Sequence, residues 1–202
     1  MEDFYRQYPK GAPDRKEVPL SSPRRVRDLL PYLKSPVLDV GCSKGYDVDY
    51  FSRHGFQVEG CDVGGGAVER ALENYPGRSF FVHDFERGPA AKRYNSAYAF
   101  DVIEHVFDYP RFLENIRSSL NPGGALILAT PNVLGLRNRL RFLLGDGGYF
   151  KQIPHIRYFT PETLGQTLEE AGFKVLKVLG YSSVPLPVSL CGSLTAISEA
   201  IG

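Results

Sequence analysis

The sequence has few cysteines and no apolar run long enough to cross a bilayer. Its three cysteines, Cys42, Cys61 and Cys191, are scattered and show none of the C-x-x-C or Cys/His spacings of a zinc site. The N-terminal residues are polar and lack the apolar centre of a signal peptide. We therefore predict a reduced, cytoplasmic protein without a membrane span or structural zinc.

The sequence also lacks an excess of charge of either sign. It contains 24 Lys and Arg against 23 Asp and Glu, for a formal net charge of +1. A nearly neutral chain is not expected to have polyanionic nucleic acid as its main partner. It contains no internal repeat, and 202 residues are enough for one well-packed domain.

Short apolar runs alternate with helical patterns along most of the chain. The runs read PVLDV, FQVEGC, SFFV, SAYAF, ALILA and FKVLKVL, and amphipathic segments separate them. Such alternation requires crossover connections, so it predicts an α/β fold with a mostly parallel sheet and helices on both faces. In open sheets of this kind ligands bind at the carboxyl ends of the strands.

A glycine turn follows the first predicted strand, in VLDVGCSKG at residues 37–45. Gly41 and Gly45 would let the chain turn tightly and approach a ligand, although a turn without any ligand would look the same. A dinucleotide fingerprint would need glycine at positions 43 and 46, where the chain has serine and tyrosine. No G-K-[ST] of a P-loop is present, and the preceding acid, Asp39, would repel a pyrophosphate.

Two more acids stand at the ends of the next strands. Asp62 ends the second, a position from which a carboxylate can accept both hydroxyls of a ribose, and Asp84 follows the third. Each acid alone could be a helix cap or an exposed loop residue. Together with Asp39 they stand at three successive strand ends, an arrangement that is harder to explain by unrelated caps and loop residues.

The motif series VLDVGCSKG, VEGCD, VHDFE, DVIEHV and LNPGGALILATPN resembles that of class I S-adenosylmethionine-dependent methyltransferases, from about Val37 to Tyr181. The resemblance is closest to the broad group that includes the ubiquinone-biosynthesis O-methyltransferases. It implies a three-layer, Rossmann-like fold, S-adenosyl-L-methionine as cofactor and S-adenosyl-L-homocysteine as product. Ser43 departs from the family's commoner glycine, and Gly64 to Gly66 stand where a capped helix start is usual.

The resemblance also implies a cofactor site. Asp39 and the glycine turn match the part that faces the methionine portion, Asp62 matches the ribose-binding acid, and Asp84 with the backbone of Phe85 matches the adenine position. The predicted cofactor-binding residues are Asp39, Gly41, Cys42, Ser43, Gly45, Asp62, Val63, Asp84, Phe85, Phe100 and Asp101.

Histidines near the predicted methyl group are candidates for a general base. His105, in DVIEHV, and His155, in PHIRYF, can each titrate near neutrality, and each could equally be structural. Tyr149, Arg157 and Tyr158 are predicted to bind the acceptor, with ordering of the surrounding loop as the alternative. Glu104 beside His105 offers only two adjacent ligands, so no metal is predicted.

The predicted function is methyl transfer to oxygen or nitrogen of a small-molecule or glycan-type acceptor. The alternatives are a non-catalytic protein that keeps the fold, an RNA or protein methyltransferase, and a nicotinamide-dependent oxidoreductase, which the failed fingerprint disfavours. We expect one domain: an N-terminal segment and helix (1–35), a cofactor-binding core (36–132), a substrate-side helix and lid loop (133–160) and a C-terminal part (161–202).

The C-terminal part lacks an obvious last strand. Class I methyltransferase sheets usually end with an antiparallel seventh strand, whereas VPLPVSLCGSLTAISEAIG reads as loop and helix. We therefore expect that this strand is missing and that the natural chain continues beyond Gly202. An uncovered sheet edge could then pair with another chain, which leaves the oligomeric state open.

Overall fold

A computed structural model of the protein describes residues 27–146 and 155–201. Its centre is a seven-stranded sheet in the order β3-β2-β1-β4-β5-β7-β6, in which β7 alone runs antiparallel to its neighbours. The predicted α/β fold is thereby confirmed. The strands are β1 (Val37–Val40), β2 (Val58–Asp62), β3 (Ser79–Val82), β4 (Tyr94–Phe100), β5 (Leu120–Pro131), β6 (Phe173–Tyr181) and β7 (Ser193–Ala200).

Helices connect the strands, and local sequence signals mark where several of them begin. The Asp108 side chain caps the helix that contains Pro110, and Thr160 with Thr163 forms a capping box. The predicted N-terminal helix begins outside the described residues. The described helices are α1 (Tyr46–Arg53), α2 (Gly65–Asn74), α3 (Tyr109–Ser118), α4 (Leu136–Leu143) and α5 (Pro161–Glu170), with 3-10 turns at Leu30–Tyr32, Ile103–His105 and Val188–Leu190.

The expected absence of the seventh strand is wrong. The strand β7 lies between β5 and β6 and pairs with both along its length, with Ile197 opposite Ile127 of β5. Its sequence, SLTAISEA, hides the strand because small and polar residues such as Thr195 and Ser198 are fully buried in the sheet. The Ser198 hydroxyl is satisfied by donating to the Leu126 carbonyl at 3.1 Å. The predicted uncovered edge between β5 and β6 therefore does not exist.

Two hydrophobic clusters cover the two faces of the sheet. Consecutive residues of β1 point to opposite clusters, since Leu38 packs in one and Val37 in the other. Helices α3 and α5 contribute to the first cluster, whereas α1 contributes Phe51 to the second. This packing fixes the strands, and hence the residues that follow their carboxyl ends. No helix among the described residues is long and apolar enough to cross a membrane.

The burial of β7 predicts unequal costs for two isoleucine truncations. Ile197 is fully buried, whereas Ile201, just beyond the strand, is 55% exposed. We expect Ile197→Ala to lower the free energy of unfolding by about 2–5 kcal/mol, and Ile201→Ala to change it by at most about 0.5 kcal/mol. Urea unfolding measures both. Equal effects would show that β7 is not inserted in the sheet.

Candidate functional site

The turn after β1 is held in an unusual backbone conformation. Gly41 and Gly45 have φ of +82° and +84°, and Ser43 between them has φ +48°. A Cβ on Gly41 would lie 2.5 Å from the Val102 side chain, and a Cβ on Gly45 would lie 2.5 Å from the Phe80 ring. Backbone geometry and packing therefore already demand both glycines, so their presence alone does not establish a ligand.

The carboxylate of Asp62 ties this turn to the end of β2. Its Oδ2 accepts a hydrogen bond from the Ser43 amide at 3.0 Å, and its Oδ1 accepts one from the Gly64 amide at 2.8 Å. Burial raises the pKa of Asp62, and the two amides partly oppose that shift. Gly64 is the N-cap of α2 but has no side chain to cap it, so Asp62 supplies an acceptor at that helix start.

A second acid lies deeper beneath the turn. Asp39 is only 4% exposed, and burial raises its pKa well above the usual range, with repulsion from nearby Asp47 as a further cause. Cys42 is buried beside it, and its amide donates to the Cys61 carbonyl at 2.9 Å. A buried carboxyl in this setting gains from any cation that approaches it.

The end of β3 carries Asp84 in a local turn. Its Oδ1 accepts the Glu86 amide at 2.9 Å, and its Oδ2 lies 3.2 Å from Nε of Arg87. The neighbouring Phe85 is buried and packs edge-on against Phe112, with ring centroids 6.2 Å apart. The Phe85 side chain is thus part of the core, and only its backbone could meet a ligand.

The chain turns sharply at the end of β4. The Phe100 ring stacks on Tyr98 with centroids 4.9 Å apart, and Asp101 adopts a left-handed conformation with φ +54°. The Asp101 amide still donates to the Ala129 carbonyl of β5 at 2.9 Å. This turn leads directly into the 3-10 helix Ile103–His105. Non-glycine residues with positive φ often mark functional turns.

Both candidate bases meet just after this turn. The rings of His105 and His155 lie 4.9 Å apart at an interplanar angle of 66°. His155 reaches this position because the amides of Ile156 and Arg157 donate to the Glu104 carbonyl at 3.0 and 3.3 Å. Burial, and then the neighbouring His105, lower the pKa of His155, which favours the neutral form of its ring.

Glu104 completes this group as a buried carboxyl. Its side chain is 1% exposed, and burial followed by the negative charge of Asp101 raises its pKa to about 8. The hydroxyl of Thr130 donates to its Oε2 at 3.0 Å. Its Oε1 lies 4.0 Å from Nε2 of His155. The fold has thus joined residues that are fifty positions apart in the sequence.

The predicted acceptor-binding residues differ in their surroundings. The Arg157 guanidinium donates to the carbonyls of Val106 and Phe107 and lies 4.3 Å above the Tyr109 ring, so it fastens the segment around His155 to the turn after β4. These contacts correspond to the loop-ordering alternative. Tyr158 is exposed, and its ring centroid lies 6.5 Å from that of His155. Tyr149 lies outside the described residues.

Proteins of known activity resemble this chain in sequence. A family model described as a methyltransferase domain matches residues 15–178. The chain belongs to this methyltransferase family. The ubiquinone biosynthesis O-methyltransferase of Coxiella burnetii is 26% identical over 160 residues, which cover 74% of this chain and 68% of the relative. The protein of the same name from Rhodopseudomonas palustris is 29% identical over 163 residues, covering 74% and 62%.

Solved structures show the same fold. An S-adenosylmethionine-dependent methyltransferase from Clostridium acetobutylicum superposes with a TM-score of 0.71 at 12% identity, covering 99% of this chain and 97% of the other. The chain is therefore a class I methyltransferase, and S-adenosylmethionine is its cofactor. The acids at the strand ends are chemically suited to that cofactor, because carboxylates can accept hydrogen bonds from hydroxyl groups and attract a cationic group.

Sequence reasoning missed two polar residues near the candidate site. Thr130 supports Glu104, and its position inside β5 gives no signal in the sequence. Asn132 is fully buried at the start of the substrate-side segment, where its Nδ2 donates to the Cys191 carbonyl at 2.8 Å and its Oδ1 accepts the Leu134 amide at 3.0 Å. The tripeptide TPN directly after an apolar strand was the available signal for Asn132.

The raised pKa of Asp39 predicts a pH-dependent effect of Asp39→Asn in the cofactor-free enzyme. The unfolded carboxyl ionises near pH 4, while burial raises the pKa of the folded one, so wild-type stability falls as pH rises above the unfolded value. The asparagine variant lacks this loss and should gain in relative stability from pH 5 to pH 8. Urea unfolding at several pH values measures the difference. Asp108→Asn is the control, because asparagine also caps a helix and the difference should stay constant.

Proposed function

We propose that this methyltransferase transfers the methyl group of S-adenosylmethionine to oxygen or nitrogen of a small-molecule or glycan-type acceptor. The observation that carries the proposal is the meeting of His105 and His155 above buried Glu104, directly after the strand end predicted to border the methyl group. A proton acceptor at that place is what transfer to a neutral hydroxyl or a protonated amine requires.

In this proposal the residues at the strand ends bind successive parts of the cofactor. Asp39 faces the cationic methionine portion, with the turn from Gly41 to Gly45 around it. Asp62 accepts the ribose hydroxyls with lone pairs left over from its two amide bonds. Asp84 and the Phe85 amide take the adenine edge, with exposed Val63 beside it. Phe100 and Asp101 border the sulfonium.

Exposed apolar side chains support an acceptor with an apolar or aromatic portion. Phe107, Ile156 and Tyr158 are all exposed and lie in the two segments that carry the histidines. A cleft lined in part by Ile156, Arg157 and Tyr158 opens beside them. The names of the curated relatives, which are O-methyltransferases, favour oxygen as the atom that accepts the methyl group. The nearly neutral charge does not favour a nucleic acid.

Methyl transfer depends mainly on the alignment of the acceptor atom with the methyl group of the cofactor. The acceptor atom attacks the methyl carbon in line with the carbon–sulfur bond, and the neutral thioether leaves. A neutral imidazole of His155 or His105 takes the acceptor proton as the new bond forms, and the lowered pKa of His155 keeps it available near neutral pH. The Arg157 clamp holds the imidazole against the strand end and helps to keep water out.

Cofactor affinity tests the assignment of Asp62. We expect Asp62→Ala to bind S-adenosylmethionine about 10- to 100-fold more weakly than wild type, because the variant lacks the carboxylate that is proposed to accept hydrogen bonds from the ribose hydroxyls. Isothermal titration calorimetry measures this, with exposed Glu114→Ala as a control that should bind as wild type does. NAD should not bind to either protein, since the dinucleotide fingerprint is absent. Unchanged affinity of Asp62→Ala would remove Asp62 from the site.

The rate of methyl transfer tests whether the two histidines take part in the reaction. We expect His105→Gln or His155→Gln to lower the rate of S-adenosylhomocysteine formation by about 100-fold or more with phenolic or sugar hydroxyl acceptors. His54→Gln is the matched control, because His54 is exposed at the end of α1 and bonds only locally, to the Tyr50 carbonyl at 2.8 Å. If both site variants kept the wild-type rate while binding cofactor, the histidines would not take part in the reaction.

A further inference from the structure

The turn that carries Asp84 is bonded to the start of α3 through a residue that has no role so far. Oε1 of Glu86 accepts a hydrogen bond from the Asp108 amide at 2.5 Å. Glu86 belongs to the Asp84 turn, because its own amide donates to Asp84 Oδ1 at 2.9 Å. We propose that Glu86 is a positioning residue that joins the adenine side of the cofactor site to the segment around His155, so that cofactor binding orders this segment.

The residues just before α3 are also the anchor of Arg157. Its Nε donates to the Val106 carbonyl at 3.2 Å, and its Nη2 donates to the Phe107 carbonyl at 2.5 Å. The Phe107 carbonyl and the Asp108 amide are the two halves of one peptide group. That single peptide group therefore receives Glu86 at its N–H and Arg157 at its C=O.

Opposite charges on the two sides of this peptide group strengthen each other's hydrogen bonds. A trans peptide group is planar, and its N–H and C=O point in opposite directions. The carboxylate attracts the hydrogen of the N–H while the guanidinium attracts the oxygen, so both charges polarise the group in the same sense. Glu86 and Arg157 are thus coupled across the peptide group that separates them.

Other contacts fasten the body of α3 to the same turn. Asn115 Nδ2 donates to the Phe85 carbonyl at 2.6 Å, and the buried Phe112 ring packs edge-on against that of Phe85. These contacts do not involve Glu86, whose bond to the Asp108 amide lies at the exposed end of the helix. Loss of the Glu86 carboxylate should therefore loosen the first residues of α3 and leave the helix in place.

Arg157 carries this restraint to the segment that contains His155. The backbone amides of Ile156 and Arg157 donate to the Glu104 carbonyl at 3.0 and 3.3 Å, which holds His155 near the turn after β4. When the Arg157 side chain is fixed at the Phe107 carbonyl, these two amide bonds should open less often.

The effect of the cofactor rests on the proposed function, which assigns the adenine edge to Asp84 and the Phe85 amide. Adenine bound there would restrain the turn that contains Glu86, and through it the peptide group and Arg157. Such coupling is reciprocal: the factor by which the cofactor stabilises the closed segment equals the factor by which the closed segment strengthens cofactor binding.

Amide hydrogen exchange tests this coupling without an acceptor. NMR of the full chain follows exchange at the amides of Ile156 and Arg157, with and without saturating S-adenosylhomocysteine, which carries the same adenine. We expect the ligand to slow exchange roughly 5- to 20-fold in wild type. Glu86→Ala should lose most of this slowing, and Glu86→Gln should keep part of it, because the side-chain amide oxygen still accepts a hydrogen bond without the charge.

Two controls accompany the exchange measurement. Glu114→Ala removes another carboxylate of α3, which is exposed and takes no part in the bonds above, so it should show the wild-type slowing. The Ala171 amide, which bonds to the Thr167 carbonyl at the end of α5, should respond to the ligand equally in every variant. Calorimetry gives the reciprocal quantity, since Glu86→Ala should bind S-adenosylhomocysteine more weakly by the factor that it loses in slowing.

Two results would overturn the positioning role of Glu86. One is the full wild-type slowing in Glu86→Ala, and the other is unchanged exchange at Ile156 and Arg157 in a wild type that calorimetry shows to be saturated. Either result would leave the methyltransferase function standing. A wild type that binds neither S-adenosylmethionine nor S-adenosylhomocysteine would instead refute the assigned cofactor site, and the positioning role with it.

Discussion

One part-buried carboxylate, that of Asp62, fixes the turn on which the proposed cofactor site depends. It accepts amide hydrogens from both the turn after β1 and the start of α2, so it joins two strand ends that the sheet alone only places side by side. Without Asp62, the Ser43 residue in its left-handed conformation would lose the hydrogen bond that its amide donates to this carboxylate. The same oxygens are those assigned to the ribose, so the cofactor would bind to a group whose orientation the fold has already fixed.

Buried acids recur at the neighbouring strand ends with a common physical consequence. Asp39 and Glu104 are both withdrawn from water, and burial raises the pKa of each. Charged forms of these groups are therefore unfavourable until a cation arrives. For Asp39 the expected cation is the methionine portion of the cofactor.

The sequence predicts the features that depend on short stretches of neighbouring residues. Alternating runs predicted six strands, and the acids at the strand ends lie on one edge of the sheet. It misled at β7, because Thr195 and Ser198 are polar yet buried. It also could not show that His155 meets Glu104, since that contact depends on backbone bonds from residues 156 and 157, which carry no side-chain signature. The predicted tight turn is present at Gly41 and Gly45, although packing against Val102 and Phe80 requires these glycines whether or not a ligand binds there.

Asn132 and Arg157 fasten the two ends of the chain that connects β5 to the segment before α5. The hydrogen bonds described for these two side chains go to residues that are not assigned to the cofactor. Changes in length or composition between the anchors would therefore cost little, because loop closure depends only weakly on loop length once the ends are fixed. The residues assigned to the cofactor thus lie outside the segment between the anchors, and new acceptor preferences could arise in that segment without disturbing methyl donation.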